Sequence, residues 1–122
     1  MDYIALGVAS EELEYLDTSL RVIMSVHAGL NCLSLLSWGT EDQKQRYLVP
    51  QAQGTKISGY GLTEPGAGSD ARAIQTTAVK KGDRYVLNGE KSWISLADVA
   101  DNFLVIALDR SREEEAAAIR PA

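Results

Sequence analysis

The hydrophobic repeat changes period near the middle of the chain, and this change constrains the fold more than any other feature. From Ala9 onward, Leu13, Leu16, Leu20 and Ile23 recur at three- and four-residue spacing, which lines one face of a helix. Val26, Leu30, Leu33 and Leu36 carry the pattern further, as a second helix or a continuation past Asp17-Thr18-Ser19. No capping residue is evident ahead of the first helix, so the expectation is a chain that begins within a larger structure. Trp38-Gly39 closes the helical run. Thr40-Glu41-Asp42-Gln43 then has the form of a capping box, with both acids in the first turn, where the helix dipole favours them. That short helix is expected to run through Tyr47-Leu48 and stop near Pro50.

After Gly54 the repeat shortens to two. Residues 57–62 and 75–80 read as strands, Lys81-Gly82-Asp83 as a turn, and residues 84–87 as a further strand. Asn88-Gly89 is a strong type I′ hairpin signal, which predicts that residues 90–95 return as a paired strand. Asn102 to Leu108 reads as a strand buried on both faces. The fold class is therefore α+β, a helical N-terminal segment followed by antiparallel strands. Residues 110–122, rich in Glu and Ala, form a tail, either helical or frayed.

Composition matters mainly for what it excludes. A formal net charge of −5, with no basic run longer than Lys80-Lys81, argues against a nucleic-acid surface. One cysteine, Cys32, allows neither an internal disulfide nor a multi-thiolate metal site, and its apolar setting reads as a small buried hydrophobe. One histidine, His27, excludes His-rich metal centres and reads best as a satisfied core residue. No metal ligands are assigned. No apolar run approaches the roughly 18–20 residues of a membrane span, and the first residues do not resemble a targeting segment. The setting expected is intracellular.

Between the two periodic halves lies Tyr60-Gly61-Leu62-Thr63-Glu64-Pro65-Gly66-Ala67-Gly68-Ser69-Asp70. Gly66 to Ala71 matches the dinucleotide fingerprint G-x-G-x-x-[GA], with Glu90 some twenty residues on. The match is a decoy. That fingerprint must open a crossover helix, and β-branched residues with two tight turns follow instead. A P-loop fails because no Lys-Ser/Thr follows the glycines. A nucleophilic Ser69 lacks a base, since the sole histidine lies in an apolar helical segment. Two readings stay open. The loop either presents backbone N–H groups and the Thr63 and Ser69 hydroxyls to an anionic ligand, with Trp93 flanking a flat group, or is an ordinary loop held by Pro65 and an Asx turn at Asp70.

These residues resemble the signature of the acyl-CoA dehydrogenase family of flavoproteins. Asn88-Gly89-Glu90-Lys91-Ser92-Trp93-Ile94-Ser95 is similar to that family's N-G-x-K-x-W-I-[TS] segment, and Gly39 to Leu48 to its G-T-x-x-Q-K-x-x-Y-L helix. The resemblance implies that residues 1–54 are the end of the N-terminal helical domain and residues 55–109 the opening of a middle β-barrel, here partial. It implies FAD as cofactor, an acyl-CoA thioester as substrate, and the trans-2-enoyl-CoA as product. In such enzymes a glutamate removes the α-proton and the β-hydrogen is passed to the flavin. An electron-transfer flavoprotein as acceptor, a homo-oligomer, and a cytoplasmic or, in a eukaryote, mitochondrial-matrix location are implied as well.

Carried over by position, Tyr60, Leu62 and Thr63 lie along the flavin ring. Gly68 and Ser69 lie near its ribityl-pyrophosphate, with Ser69 also touching the CoA part of the substrate, and Trp93, Ile94 and Ser95 pack against the flavin. Glu64 and Pro65 are read as turn architecture. Val26, His27 and Leu30 are candidates for an acyl-chain pocket, with a plain helix contact as the alternative. Leu96-Ala97 departs from the family's Asn-Gly or Asn-Ala. No catalytic residue is assigned, because nothing here matches the segment that bears the family's glutamate. The competing readings are a catalytically silent complementing module and an acyl-CoA oxidase of the same superfamily.

Overall fold

The computed structural model describes residues 2–111, so the expected tail beyond Ser111 lies outside the described residues. Three helices come first. Helix α1 spans Tyr3–Leu16, and the Asp2 carboxylate caps it by accepting the Ala5 N–H at 2.7 Å. The helix is therefore capped and starts before Ala9, against the sequence expectation. The capping signal is a single aspartate with no capping-box partner, which makes it easy to overlook. Asp17 leaves the helical region at φ −163°, and its carboxylate accepts the Ser19 N–H at 2.7 Å. One residue thus ends α1 and caps the next helix.

Helix α2, Thr18–Trp38, has π-type spacing through Met24–Cys32. It is long and apolar enough to cross a membrane by length and composition, which corrects the expectation that no segment approaches that size. The buried core helix of a soluble protein meets the same criterion, although little of this one is buried within the described residues, and several polar side chains of α2 are bonded within the chain. Arg21 pairs with Glu14 at 2.7 Å, Asn31 donates to the Val26 carbonyl, and both ring nitrogens of His27 are engaged.

Helix α3 covers residues 41–52. The capping box forms as read: the Thr40 hydroxyl accepts the Gln43 N–H at 3.3 Å, and the Gln43 side chain accepts the Thr40 N–H at 2.9 Å. The helix passes Pro50 and ends at Ala52. Its ladder changes from π to α spacing at Val49, so Pro50 begins a fresh α stretch, where a missing N–H costs no bond.

The described chain divides into two units. The first, Met1–Tyr60 with Ser95–Leu104, holds the helices and the pairing of β1, Ser58–Gly61, with β4, Asn102–Val105. Its centre is polar. The Ser58 backbone N–H donates to His27 Nδ1 at 3.2 Å, which leaves the ring proton on Nε2, 3.0 Å from the Gln51 carbonyl oxygen. The Ser58 hydroxyl donates to Gln51 Oε1 at 3.0 Å, and Ser58, Gln51 and Asn31 are almost wholly buried. Asp101 closes the strand pair: its carboxylate accepts the Ile57 N–H at 2.9 Å and pairs with Lys56 at 2.6 Å, and its own N–H donates to the Ile57 carbonyl.

The second unit, Gly61–Ile94 with Val105–Ala122, contains β2, Thr77–Lys81, paired antiparallel with β3, Arg84–Asn88. The turn is at Gly82-Asp83, with Gly82 at φ +65°. On the other edge of β2, strand β5, Leu108–Asp109, runs parallel. The sheet is thus mixed, where an antiparallel meander was expected. Asn88-Gly89 makes no hairpin, and residues 90–95 are not a strand. The expected strand from Asn102 to Leu108 is split into β4 and β5, and Phe103 is exposed instead of buried.

Gly59 in β1 has no room for a side chain: a Cβ there would lie 2.5 and 2.7 Å from the Phe103 ring and 3.3 Å from the Ser95 carbonyl oxygen. Gly59→Ala should therefore lower stability by about 1–3 kcal/mol, read as a lower urea-denaturation midpoint at unchanged slope.

Candidate functional site

The glycine-rich loop is organised around one carboxylate. Glu64 Oε1 accepts from Lys91 Nζ at 2.7 Å and from the Thr76 N–H at 3.0 Å, and Oε2 accepts the Gln75 N–H at 2.6 Å. Lys91 Nζ also donates to the Leu62 carbonyl at 2.9 Å. Both side chains are largely buried, at 7% exposure for Glu64 and 12% for Lys91, so each charge depends on the other. The Lys91 ammonium first, then Thr76 and the Gln75 amide, hold the Glu64 carboxyl down at about 2 against an opposing effect of burial.

Several sequence-predicted site residues are brought together by this pair. Thr63 stands between its two anchored neighbours, and its carbonyl accepts the Ser92 N–H at 2.8 Å. Leu62, Thr63 and Ser92 thereby belong to one hydrogen-bonded arrangement within the second unit, and Trp93 follows Ser92 in the chain. Reciprocal bonds between Glu64 and Ala67, at 2.9 and 3.1 Å, close the turn through Pro65-Gly66. Beyond it, Gly68 and Ser69 are exposed, and a Cβ on Gly66 or Gly68 would meet nothing within 4 Å. Asp70 makes the expected Asx turn, accepting the Arg72 N–H at 3.1 Å ahead of the short 3-10 turn Ala71–Ala73.

Leu96 and Trp93 are the non-glycine residues at positive φ among the described residues, and Trp93 combines this with a fully presented ring. Its backbone has φ +58°, a region costly for a bulky side chain, and its indole is 94% exposed. Ile94 beside it is half-buried. Tyr60 and Ser95 belong to the first unit and the other six assigned residues to the second. A cavity of about 380 Å³ is lined by Glu64, Pro65, Gly66, Thr76, Asn88 and Glu90, among others, but by none of the eight assigned residues. Of those residues, Gly68, Ser69, Trp93 and Ser95 are exposed, and Tyr60, Leu62, Thr63 and Ile94 are half-buried.

Among the acyl-pocket candidates, His27 has both ring nitrogens committed to Gln51 and Ser58, which makes it a satisfied internal residue, and Leu30 is exposed. Cys32 is half-buried, its thiol 3.5 Å from Gln51 Oε1, and burial pushes its pKa up. Lys91 had no assigned role in the sequence reading, although it lies inside the Asn88–Ser95 motif. The only available signal was a lone lysine two residues before a tryptophan, with no cue to its partner 27 positions upstream.

A helical segment feeding strands, with an exposed indole and an open glycine-rich turn, matches the domain pattern of a flavin-dependent acyl-CoA dehydrogenase. The chain belongs to that family: residues 59–120 match its middle domain and residues 1–55 its N-terminal domain. It is 50% identical over 113 residues to the short-chain specific acyl-CoA dehydrogenase of Clostridium acetobutylicum, covering 91% of this chain and 30% of that protein. Among solved structures, a glutaryl-CoA dehydrogenase from Mycobacterium smegmatis in complex with FADH2 superposes with a TM-score of 0.80 at 38% identity, covering 84% of this chain and 27% of that one. A chain from a structure concerning the electron transferring flavoprotein of Acidaminococcus fermentans gives 0.78 at 47% identity, covering 81% and 26%. The chain thus spans less than a third of the relatives it matches.

Because the Glu64 carboxyl is held below its ordinary 4.5, the stability it contributes is complete above that value and is lost as pH falls toward about 2. Glu64→Gln should remove this part of the acid-unfolding profile, so that stability between pH 4.5 and 2 falls less steeply than in the wild type. An unchanged slope would show that Glu64 is not so coupled.

Proposed function

We propose that this chain carries part of the FAD site of an acyl-CoA dehydrogenase, which oxidises an acyl-CoA thioester to the trans-2-enoyl-CoA. The observation that carries the reading is Trp93. A strained backbone and a fully presented indole are two costs with no return among the described residues, and a flat aromatic cofactor stacked on the ring would supply one. The residues fit such a group. Leu62, Trp93 and Ile94 offer apolar surface, the Thr63 hydroxyl can bond a polar ring edge, and the open backbone at Gly68-Ser69 suits a pyrophosphate. Tyr60 and Ser95 are assigned to the flavin by family resemblance alone, and Ser69 by the same resemblance also contacts the CoA part of the substrate. Bound FAD would supply the two-electron acceptor. This chain's own residues bind and orient it.

The relatives' names favour a short acyl chain. An electron-transfer flavoprotein as acceptor, a homo-oligomeric assembly, and a cytoplasmic or mitochondrial-matrix location follow by the same analogy. A second reading rests on exposure. Among the described residues only Ala67 and Ile74 are buried hydrophobics, while Tyr3, Ile4, Tyr15, Trp38 and Trp93 are nearly bare. Such surface marks a contact face, so the chain by itself would act as a complementing module without chemistry of its own.

Flavin fluorescence and the absorption spectrum of retained cofactor test the first reading, on the purified chain and on the complete protein that contains it. FAD bound by the complete protein is expected. Trp93→Ala and Thr63→Ala should each weaken it about ten- to a hundredfold, as for loss of a stacked ring or a buried hydrogen bond. Trp93→Gly should weaken FAD binding as Trp93→Ala does, yet leave ligand-free stability unchanged or about 1 kcal/mol higher, because glycine relieves the positive φ. A complete protein that never retains added FAD would overturn the assignment.

A further inference from the structure

We propose that Glu64 and Lys91 are positioning residues for the flavin: their ion pair joins the Leu62-Thr63 segment to the Ser92-Trp93 segment, and its internal charge balance keeps net charge from the cofactor. The inference rests on the FAD reading above and adds two residues that do not themselves touch the cofactor.

The geometry has three parts. First, the pair is the crossing point of the site. Lys91 Nζ bridges the Glu64 carboxylate at 2.7 Å and the Leu62 carbonyl at 2.9 Å, while Ser92 N–H reaches the Thr63 carbonyl at 2.8 Å. Thr63, which precedes Glu64, and Trp93, two residues after Lys91, are among those assigned to the flavin. Second, Glu64 is itself fixed by the Gln75 and Thr76 amides at the entrance to β2, so Lys91 is tied to a rigid point of the sheet. Third, the pair is mostly shielded from water, so removing either partner leaves an uncompensated charge that solvent screens poorly.

This third point separates a positioning role from a merely structural one. Reduction makes the flavin more negative. Glu64→Gln would leave the Lys91 cation unbalanced and favour reduction, raising the potential. Lys91→Met would leave the Glu64 carboxylate unbalanced, still held by two amides, and lower it. A tie that only held the loop together would weaken FAD binding in both variants, without opposite effects on potential.

The experiment is spectroelectrochemical titration of the flavin at pH 7 in the purified holoprotein, with dissociation of FAD measured alongside. The expected result is displacement in opposite directions, about tenfold each in the two-electron reduction equilibrium, or about 30 mV. The double variant Glu64→Gln/Lys91→Met should return toward the wild-type value, and Lys91→Arg, which keeps the charge, should stay near it. If Glu64→Gln fails to hold flavin, Lys91→Met against Lys91→Arg decides alone: a lower potential only in the methionine variant supports the proposal. Flavin-loaded variants with unmoved potentials, or with shifts of one sign, overturn it while leaving the FAD assignment intact. A wild-type protein without flavin overturns both.

Discussion

A carboxylate taken out of water must find partners, and the partners of Glu64 determine the course of the chain around it. Two of its bonds come from the amides at Gln75 and Thr76, which fix it to the start of β2. The third comes from Lys91, on the segment that leaves β3. A strand running back along β3 would carry that ammonium away from the only carboxylate it pairs with among the described residues. The chain instead crosses to the Leu62–Glu64 loop, where Ser92 N–H meets the Thr63 carbonyl. The unusual backbone at Trp93 follows directly after this anchor. Loop conformation, the missing hairpin and the exposed indole thus occur together around one ion pair.

The first unit is specified by polar contacts in a similar way. His27 receives the Ser58 N–H and donates to the Gln51 carbonyl, so a residue of α2 reads the end of α3 and the start of β1 together. Asp101 does the same for Lys56 and Ile57. Directional bonds of this kind fix register, whereas apolar contacts alone tolerate sliding. The buried residues reflect this: Asn31, Gln51, Ser58, Glu64 and Thr76 are interior, while leucines along α1 and α2 face outward. Apolar faces so arranged gain little from the chain's own fold. Their contribution to stability requires a covering surface, consistent with a chain that spans less than a third of its relatives.

What could be read from the sequence divides along the range of the interactions. The capping box at Thr40, the Asx turn at Asp70 and the Gly82-Asp83 turn are decided within four residues, and all three form as read. The period change correctly separates helices from strands. Failures occurred where a distant partner overrode local preference. Asn88-Gly89 is a strong hairpin signal, but the pull of Lys91 toward a residue 27 positions away prevails over it. The parallel pairing of β5 with β2 joins segments about thirty residues apart, which periodicity cannot report. For the site, the motif supplied candidates around Thr63 and Trp93, but the ion pair that assembles them required coordinates. Neither Glu64 nor Lys91 is unusual in type or local setting.

The strain at Trp93 connects these observations. A chain selected only for stability would place glycine at a positive φ and turn a tryptophan inward. At Trp93 the opposite is found on both counts, just after Lys91 and Ser92, which are bonded to the Leu62–Glu64 segment. Strain persists only where surrounding structure over-determines it, and the Glu64–Lys91 pair and the Ser92–Thr63 bond anchor the two residues that precede Trp93. The pair and the tryptophan are therefore two halves of one device. Burial of charge supplies rigidity, and that rigidity holds an aromatic face in a conformation it would not keep by itself. On the proposed FAD reading, such preorganisation would reduce the ordering cost of binding a flat ligand. A buried ion pair contributes little net stability compared with apolar packing, so its occurrence here is better explained by what it positions than by what it stabilises.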